Sequence, residues 1–395
     1  MNGDTALQAE VQLDEDIQFS HPVSENSTDP KVVFLTGATG FFGAYLLNEL
    51  LRTTDADIYC LIRCNKGDES AGQRLEDHLR FYSFWQDEFA SRIIPVQGDL
   101  AQPLLGLSPR QFQDLGEQLD VIYHNGAWVN SIYPYSFLKK TNVDGTREAL
   151  RLAAVGRTKP FHFTSTVAVF YSNFYNGLDR KIMETDLPES TLKGGYKQSK
   201  QAAEQLVIQA RERGLSASIY RTARIMGHSK TGVNGNLNDF LIRMMQACIT
   251  LGKFPDRETL LYLVPADYAS QALVYLSQQK SPGKEFHILN PSPVTWNTFF
   301  EKIGELGYSL EKISQKEWLE EVRSYVDKNR KSKLYTILRF ALNSSKAMVH
   351  TKPQFDMSET LKGLLDTEID CPPVEKKLVA TWVEYLQKCR YLPMP

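Results

Sequence analysis

Tyr196 and Lys200 are the residues of this sequence best suited to proton transfer. They lie four positions apart in a stretch with helical apolar spacing, so their side chains share one helix face. A lysine cation beside a phenol stabilises the phenolate and lowers the pKa of the tyrosine. We therefore predict that Tyr196 donates a proton near neutral pH and that Lys200 supports it.

A strand rich in hydroxyl groups precedes this helix. Residues 161–169 read Phe-His-Phe-Thr-Ser-Thr-Val-Ala-Val, and the hydroxyls stand at the carboxyl end of the apolar run. Ligands of open α/β sheets bind at that end of the strands. Ser165 or Thr166 can therefore face the same ligand as Tyr196.

A glycine-rich turn near the start of the chain predicts a dinucleotide site. The apolar run Val32–Leu35 reads as a buried strand, and leucines at helical spacing follow the glycines. Between them, one glycine allows a tight turn, the next lets a pyrophosphate approach, and the third lets helix and strand pack closely. The alternative is that the glycines only shape a turn. The predicted cofactor contacts here are Gly37, Thr39, Gly40, Phe41, Phe42 and Gly43.

The residue after the second strand indicates which dinucleotide binds. Residues 57–63 end in Arg63, where an NAD-specific fold carries an acidic residue for the ribose 2′-hydroxyl. A guanidinium suits a 2′-phosphate instead. The sequence thus predicts NADPH, although Arg63 would also fit as the first exposed residue after a strand.

Two further strands end in small and polar residues. Residues 92–100 end in Gly98-Asp99-Leu100 and residues 120–127 end in Asn125-Gly126-Ala127. We predict that Asp99, Leu100, Asn125, Gly126 and Ala127 also contact the cofactor. Helices are predicted over 73–92, where aromatic residues should pack in the core, and over 136–154.

Composition narrows the class of protein. The 395 residues are 42% hydrophobic, enough for a sizeable core, yet no apolar run approaches the ~18–20 residues of a membrane span. The five scattered cysteines lack C-x-x-C spacing and predict reduced thiols without a metal site. Residues 1–30 carry seven acids and no Lys or Arg, which leaves the rest at about +5. We expect a cytoplasmic protein without a secretory signal, membrane anchor or nucleic-acid partner.

The sequence resembles the extended short-chain dehydrogenase/reductase superfamily over residues 31–291. The matching motifs are Gly37-Ala-Thr-Gly-Phe-Phe-Gly43, Gly98-Asp-Leu100, His124-Asn-Gly-Ala127, Asn142-Val-Asp-Gly-Thr146, Thr166, Tyr196/Lys200 and Val264-Pro-Ala-Asp-Tyr268. More narrowly, it resembles the thioester reductase domains that end nonribosomal peptide synthetases and carboxylic acid reductases. That likeness rests on Cys60-Leu-Ile-Arg63 before Gln73-Arg74-Leu75, His124-Asn-Gly-Ala-Trp-Val129, Gly194-Gly-Tyr196 and the leader Ala9-Glu-Val-Gln-Leu-Asp14.

The resemblance implies roles for individual residues. Thr166, Tyr196 and Lys200 would be catalytic. Thr166 is favoured over Ser165 because it stands three residues before Val169, which is the spacing found in the family. Tyr196 and Lys200 would also contact the cofactor, and Arg74 would join the NADPH site. The family often reads R-P-G after the sixth strand, where this chain has Arg221-Thr-Ala-Arg224.

The implied activity is NADPH-dependent release of an acyl or peptidyl thioester from the phosphopantetheine arm of a carrier protein. The product is an aldehyde, and a second hydride transfer would give the alcohol. Two alternatives are a nucleotide-sugar epimerase or dehydratase on the same scaffold and a non-catalytic NADP-sensing module. The chain, expected to be monomeric, is either a stand-alone reductase or a domain of a larger synthetase.

The expected architecture is a doubly wound parallel sheet with a smaller, mostly helical C-terminal lobe. The sheet domain takes 31–228 and 262–291, and the lobe takes 229–261 and 292–395, with helical spacing at 296–303, 316–326 and 374–386. Residues 1–30 are predicted to form an acidic leader that packs on the domain through Val11, Leu13 and Ile17 at most; disorder of this segment is the alternative. Basic lobe residues that could meet an acidic carrier are Arg243, Lys253 and Arg257; solvated helix faces are the alternative.

Overall fold

A computed structural model describes residues 11–23, 29–64, 70–176, 178–188, 192–279, 283–331, 334–335, 338–339 and 353–395. The parts of the predicted leader at 1–10 and 24–28 lie outside these residues. Within the described ranges, no helix combines the length and the apolar character needed to cross a membrane.

The strands of the described residues are β1 Val32–Thr36, β2 Asp57–Ile62, β3 Ile93–Gln97, β4 Val121–His124, β5 Phe161–Thr166, β6 Ala217–Thr222, β7 Arg224–Met226, β8 Lys253–Pro255, β9 Leu260–Leu261, β10 Leu263–Pro265, β11 Glu285–Ile288, β12 Val294–Thr295 and β13 Glu311–Ile313. Seven of them are parallel and form the central sheet, in the order β11-β6-β5-β4-β1-β2-β3. The other six form small two-stranded pairs outside it, β7 with β10, β8 with β13 and β9 with β12.

Helices connect the strands. They are α1 Phe41–Thr53, α2 Ala71–Phe81, α3 Pro109–Gln118, α4 Tyr135–Lys139, α5 Gly145–Ala154, α6 Asn173–Asn176, α7 Gly195–Glu212, α8 Phe240–Leu251, α9 Ala266–Ser277, α10 Trp296–Gly304, α11 Gln315–Lys328, α12 Ser358–Leu364 and α13 Lys376–Lys388. Short 3₁₀ segments lie at Asp87–Arg92, Pro103–Gly106 and Val167–Phe170, and a π-helical turn at Lys140–Asp144 joins α4 to α5.

The sheet is buried on both faces, as its continuous apolar strands predict. Successive side chains of a strand point to opposite faces. Val33 and Leu35 accordingly belong to one apolar cluster, and Phe34 to another. The strand order reverses between β1 and β4, and this reversal opens a crevice at the carboxyl ends of these strands. The predicted fold class is confirmed.

One predicted helix is shorter than expected. The stretch 73–92 is interrupted after α2, because Ser83 adopts a positive φ of 60° and the chain resumes as a 3₁₀ turn at Asp87. The predicted core packing holds for Tyr82 and Phe89, which are buried in the sheet core, and Tyr82 stacks on Phe84. It is wrong for Phe81, which is exposed. The helix predicted over 136–154 is present, with the π-helical turn inside it.

A third apolar cluster forms the core of the lobe. The helices predicted at 296–303, 316–326 and 374–386 appear as α10, α11 and α13 and supply much of this cluster. Residues 353–371 pack differently from the predicted division, since Phe355, Met357 and Leu364 join the sheet core. Buried Glu184 holds this segment by accepting the Glu359 N–H at 2.6 Å.

The described part of the leader is bound tightly to the sheet domain. Val11, Leu13, Ile17 and Phe19 are buried, the first three as predicted. Arg213, just after α7, donates to the backbone carbonyl of Ile17 at 2.9 Å and to that of Leu13 at 2.7 Å. The acidic leader residues Asp14 and Asp16 form ion pairs with basic side chains of α5.

Candidate active site

The glycine turn is closed by backbone contacts that leave no space for side chains. A Cβ on Gly43 would lie 1.9 Å from the Gly37 carbonyl oxygen, and one on Gly37 would lie 2.7 Å from the Gly126 Cα. Gly37 also has a φ of +78°, which glycine adopts without strain. Gly40 is the N-cap of α1 and offers no side chain, so nothing in the cap occupies the first-turn N–H groups. Such a helix start binds an anion.

A buried histidine joins the glycine turn to the end of β4. His124 contacts the hydroxyl of Thr36 at 2.9 Å and that of Thr146 at 3.0 Å. Thr36 in turn accepts the Gly126 N–H at 2.8 Å. Burial lowers the pKa of His124 to about 3, so the ring is neutral and its role is to hold the two strand ends in register.

The predicted NADPH-selecting arginines meet at the end of β2. Arg74 on α2 donates to the backbone carbonyl of Arg63 at 2.6 Å, while the Arg63 side chain is exposed. His78, one helical turn after Arg74, contacts the Gly40 carbonyl at 3.2 Å. Sequence reasoning missed His78. Its spacing from Arg74 was the available signal, because residues i and i+4 share a helix face.

The other predicted cofactor contacts line the same crevice. Leu100 packs against Gly126, where an added Cβ would lie 2.6 Å from a Leu100 methyl group. The Asn125 side-chain nitrogen lies 3.1 Å from the position of a Cβ on Gly37. The Asp99 carboxylate accepts the Ala101 N–H at 2.9 Å. Thr39 and Ala127 lie in the two turns that these contacts hold together, whereas Phe41 and Phe42 begin α1 and Phe42 is buried in the sheet core.

Helix α7 presents Tyr196 and Lys200 beside β5. The Lys200 ammonium donates to the Thr164 carbonyl at 2.7 Å and lies 4.0 Å from the centre of the Phe163 ring. Thr166 ends β5, and its oxygen accepts the Ala168 N–H at 3.2 Å. Because a hydroxyl accepts two hydrogen bonds and donates one, Thr166 can still donate. The three predicted catalytic residues thus lie on adjacent elements.

The predicted pKa of Tyr196 was wrong for the free protein. Burial raises the pKa of Tyr196 to about 12, whereas we expected Lys200 to lower it. Burial also lowers the pKa of Lys200 to about 7, against a smaller upward effect of Glu204. Desolvation penalises both charged forms and outweighs the expected attraction between them. Tyr196 is therefore protonated at neutral pH, and its phenol is a weaker acid than an exposed tyrosine unless a positive charge stabilises the tyrosinate.

Two glycines set the start of α7. Gly194 caps α7 with a φ of +102°, and a Cβ on Gly195 would lie 2.4 Å from the Tyr133 carbonyl oxygen. The helix therefore begins in direct backbone contact with residues 128–137, which we call the aromatic segment. Asn142 adds a second link, since its side chain pairs with both backbone groups of Trp128 and donates to the Ser199 hydroxyl at 2.9 Å.

A fully buried ion pair links β6 to α7 close to the predicted catalytic residues. Arg221 on β6 donates to the Glu204 carboxylate of α7 at 3.0 Å. Ser165, next to Thr166, donates to the same carboxylate, and Arg221 also donates to the Glu184 carbonyl at 2.7 Å. Sequence reasoning noted Arg221 only as part of a motif and missed Glu204. The position of Glu204 four residues after Lys200 was the available signal.

All three basic residues suggested for carrier contact have partners within the lobe. Arg243 donates to the Asn238 side chain. Lys253 pairs with Glu321 at 2.6 Å. Arg257 donates to the Gln315 side chain at 2.6 Å and stacks on Trp296. The partners of Lys253 and Arg257 come from distant parts of the sequence, so the pattern alone did not reveal them.

Known proteins share this arrangement. Residues 35–273 match the model of the NAD-binding family described as male sterility protein. The structure of the terminal R domain from the myxalamid PKS-NRPS pathway superposes with a TM-score of 0.91 at 38% identity, covering 100% of both chains. The chain belongs to this family of terminal reductase domains. It is therefore an oxidoreductase domain that binds a nicotinamide dinucleotide.

Curated relatives extend the likeness to larger enzymes. The chain is 40% identical over 391 residues to a component of the linear gramicidin synthase of Brevibacillus parabrevis, a match that covers 97% of this chain and 8% of that protein. It is 31% identical over 402 residues to L-2-aminoadipate reductase of Saccharomyces cerevisiae, which covers 94% of this chain and 29% of that protein. The reductase domain thus spans less than a third of either relative.

Proposed function

We propose that this reductase domain releases acyl or peptidyl thioesters from a carrier protein as aldehydes, using NADPH. The observation that carries the proposal is that Thr166, Tyr196 and Lys200 lie on the adjacent elements β5 and α7. Strand β5 pairs with β4, and the residues after β4 contact the glycine turn. The relatives are named as a gramicidin synthase component and an aminoadipate reductase, and a carrier-tethered thioester is the substrate class that fits both names.

The residues at the crevice suit NADPH. The first-turn N–H groups of α1 would hold the pyrophosphate, because Gly40 at the N-cap leaves them without a side-chain partner. Arg63 and Arg74 would hold the 2′-phosphate, because a guanidinium pairs with phosphate through charge-assisted hydrogen bonds. When bound, NADPH supplies the hydride for the thioester carbonyl.

Side chains of the protein then stabilise the negative charge that develops on the carbonyl oxygen. Thr166 and Tyr196 donate hydrogen bonds to this oxygen, and Tyr196 transfers its proton as negative charge develops. Lys200 places a positive charge one helical turn from the tyrosinate that forms. The resulting hemithioacetal breaks its carbon–sulfur bond, the carrier thiol leaves with a proton, and the aldehyde remains.

A direct assay tests the activity. Purified protein is given NADPH and the same acyl group as a carrier-bound thioester or as a free pantetheine thioester, and NADPH oxidation and trapped aldehyde are measured. We expect equal amounts of NADP⁺ and aldehyde if the reaction stops after one hydride. Absence of both products with every thioester would contradict the proposal.

The same assay at low and high salt tests carrier docking. Charges at the rim of an interface mainly set the encounter rate and its salt dependence. We expect a higher kcat/KM for the carrier-bound substrate and a smaller advantage as salt rises. Equal use of free and carrier-bound thioesters at every ionic strength would remove carrier docking from the proposed function.

A further inference from the structure

The aromatic segment exposes an unusual group of large apolar side chains. Between 41% and 63% of each side chain is accessible to solvent, although each is of a type that normally packs in a core. Two ring contacts connect the group: Trp128 meets Tyr133 edge-on at 5.3 Å, and Tyr133 stacks on Phe137 at 5.8 Å. Its members are Trp128, Val129, Ile132, Tyr133 and Phe137. A contiguous exposed patch of this kind marks a binding surface.

The patch is fixed to the catalytic machinery at both ends. Trp128 follows two residues after Gly126, which touches the glycine turn, and its backbone is held by Asn142. Tyr133 contacts Gly195 through its backbone, directly before catalytic Tyr196. Asn130 stiffens the bend between them by accepting the N–H groups of Ile132 and Tyr133 at 2.9 and 3.0 Å. Its apolar surface therefore continues outward from the reacting centre.

We infer that the aromatic segment is the subsite for an apolar acyl chain of the thioester substrate. This inference rests on the proposed function and names the substrate class that the site selects. The ten residues from Trp128 to Phe137 include no charged side chain. Lys139 and Lys140 follow the segment, but within it a charged carrier surface would find no complementary charge. An apolar chain needs none and is stabilised by each methylene removed from water.

Binding of unreactive analogues tests the subsite without requiring turnover. S-alkyl pantetheine thioethers with ethyl, butyl, hexyl and octyl chains are titrated into NADPH-loaded protein by calorimetry. For wild type, the Kd should fall roughly two- to fourfold per added methylene until the patch is covered. The double variant Trp128→Ala/Phe137→Ala should lose most of this dependence, and its fold should persist because the anchors at Asn142 and Gly195 use backbone groups.

Leu365→Ala is the matched control, since Leu365 is an exposed apolar residue that follows α12 in a segment packed on β11. It should keep the wild-type chain-length dependence. The inference would be overturned if the wild-type Kd did not change with chain length, or if the double variant kept the wild-type dependence of Kd on chain length.

Kinetic measurements distinguish an acyl-chain subsite from a carrier-docking surface and from failure of the proposed function. Octanoyl and acetyl thioesters are compared on free pantetheine and on a carrier protein. The double variant should lose activity selectively toward the octanoyl thioester, whether it is free or carrier-bound. An equal loss for both acyl groups on the carrier alone would assign the patch to protein docking and overturn the inference. If no thioester is reduced, the proposed function fails, while the thioether titration still decides whether the segment binds apolar chains.

Discussion

The two sides of the crevice are built in opposite ways. On the cofactor side, backbone meets backbone: Gly43 lies against the Gly37 carbonyl, Gly37 lies against Gly126, and no Cβ fits. On the proposed substrate side, the aromatic segment presents large side chains to solvent, and its backbone is tied to Asn142 and to the start of α7.

This difference matches the ligands that we propose for each side. A dinucleotide is the same in every catalytic cycle, so close backbone approach can hold it without side-chain adjustment. An acyl chain differs between substrates, and exposed side chains can be exchanged without disturbing the fold, because surface substitutions usually change stability by less than about 0.5 kcal/mol. The comparison predicts that substitutions on the two sides impair different properties of the protein.

The largest effect is expected where the two sides meet. Tyr196→Phe removes one hydroxyl from α7 and should lower kcat by ~10²–10⁴ through loss of the general acid, while the Tm and the Kd for NADPH stay near wild type. Stopped-flow NADPH oxidation, thermal unfolding and calorimetry measure the three quantities. Tyr59→Phe is the control, because its hydroxyl contacts the Gln118 side chain at the end of α3. Wild-type turnover in Tyr196→Phe would show that another group donates the proton.

On the cofactor side, adding one methyl group should harm the fold itself. Gly43→Ala places a Cβ 1.9 Å from a backbone oxygen that cannot rotate away, and we expect it to lower the free energy of unfolding by about 3 kcal/mol. Urea unfolding measures this loss. Gly304→Ala, at the end of α10 with nothing within 4 Å, should be neutral or slightly stabilising. Similar unfolding energies for the two variants would contradict the close packing of the glycine turn.

A substitution at the exposed edge of the cofactor side should change cofactor specificity without changing stability. Arg63→Ala should weaken NADPH binding by about 1.5–3 kcal/mol, the range for a lost charged hydrogen bond, and leave NADH binding unchanged. Calorimetry with both cofactors measures the preference. Arg52→Ala is the control, because Arg52 is an exposed arginine that pairs with Glu49 on α1. Equal affinities of the wild-type protein for NADPH and NADH would refute the assignment of Arg63.

Much of the cofactor side could be predicted from the sequence because glycine spacing reports backbone contacts directly. Gly37, Gly40 and Gly43 indicate the turn whatever surrounds it, and the apolar runs indicate a parallel sheet buried on both faces. The burial of a side chain and its contacts with distant parts of the chain could not be predicted in the same way. The pKa of Tyr196 depends on how deeply α7 is packed, and the engagement of Lys253 depends on Glu321, which is far along the chain. The predicted roles of the site residues remain predictions.

The smallest effect concerns the charge that links the two sides. Burial lowers the pKa of Lys200 to about 7, so the ammonium is present below that pH and lost above it. The tyrosinate that forms on Tyr196 needs this positive charge, and kcat/KM reports the ionisation of the free enzyme. We therefore expect kcat/KM to fall about tenfold per pH unit above roughly neutral pH. Lys197→Met, on the same helix and bonded to the Tyr171 carbonyl, should keep this decline, whereas Lys200→Met should be slow at every pH and show none. A wild-type profile that stays flat from slightly acidic to alkaline pH would mean that Lys200 keeps its proton throughout, and that its charge is held by contacts such as the Thr164 carbonyl against the cost of burial.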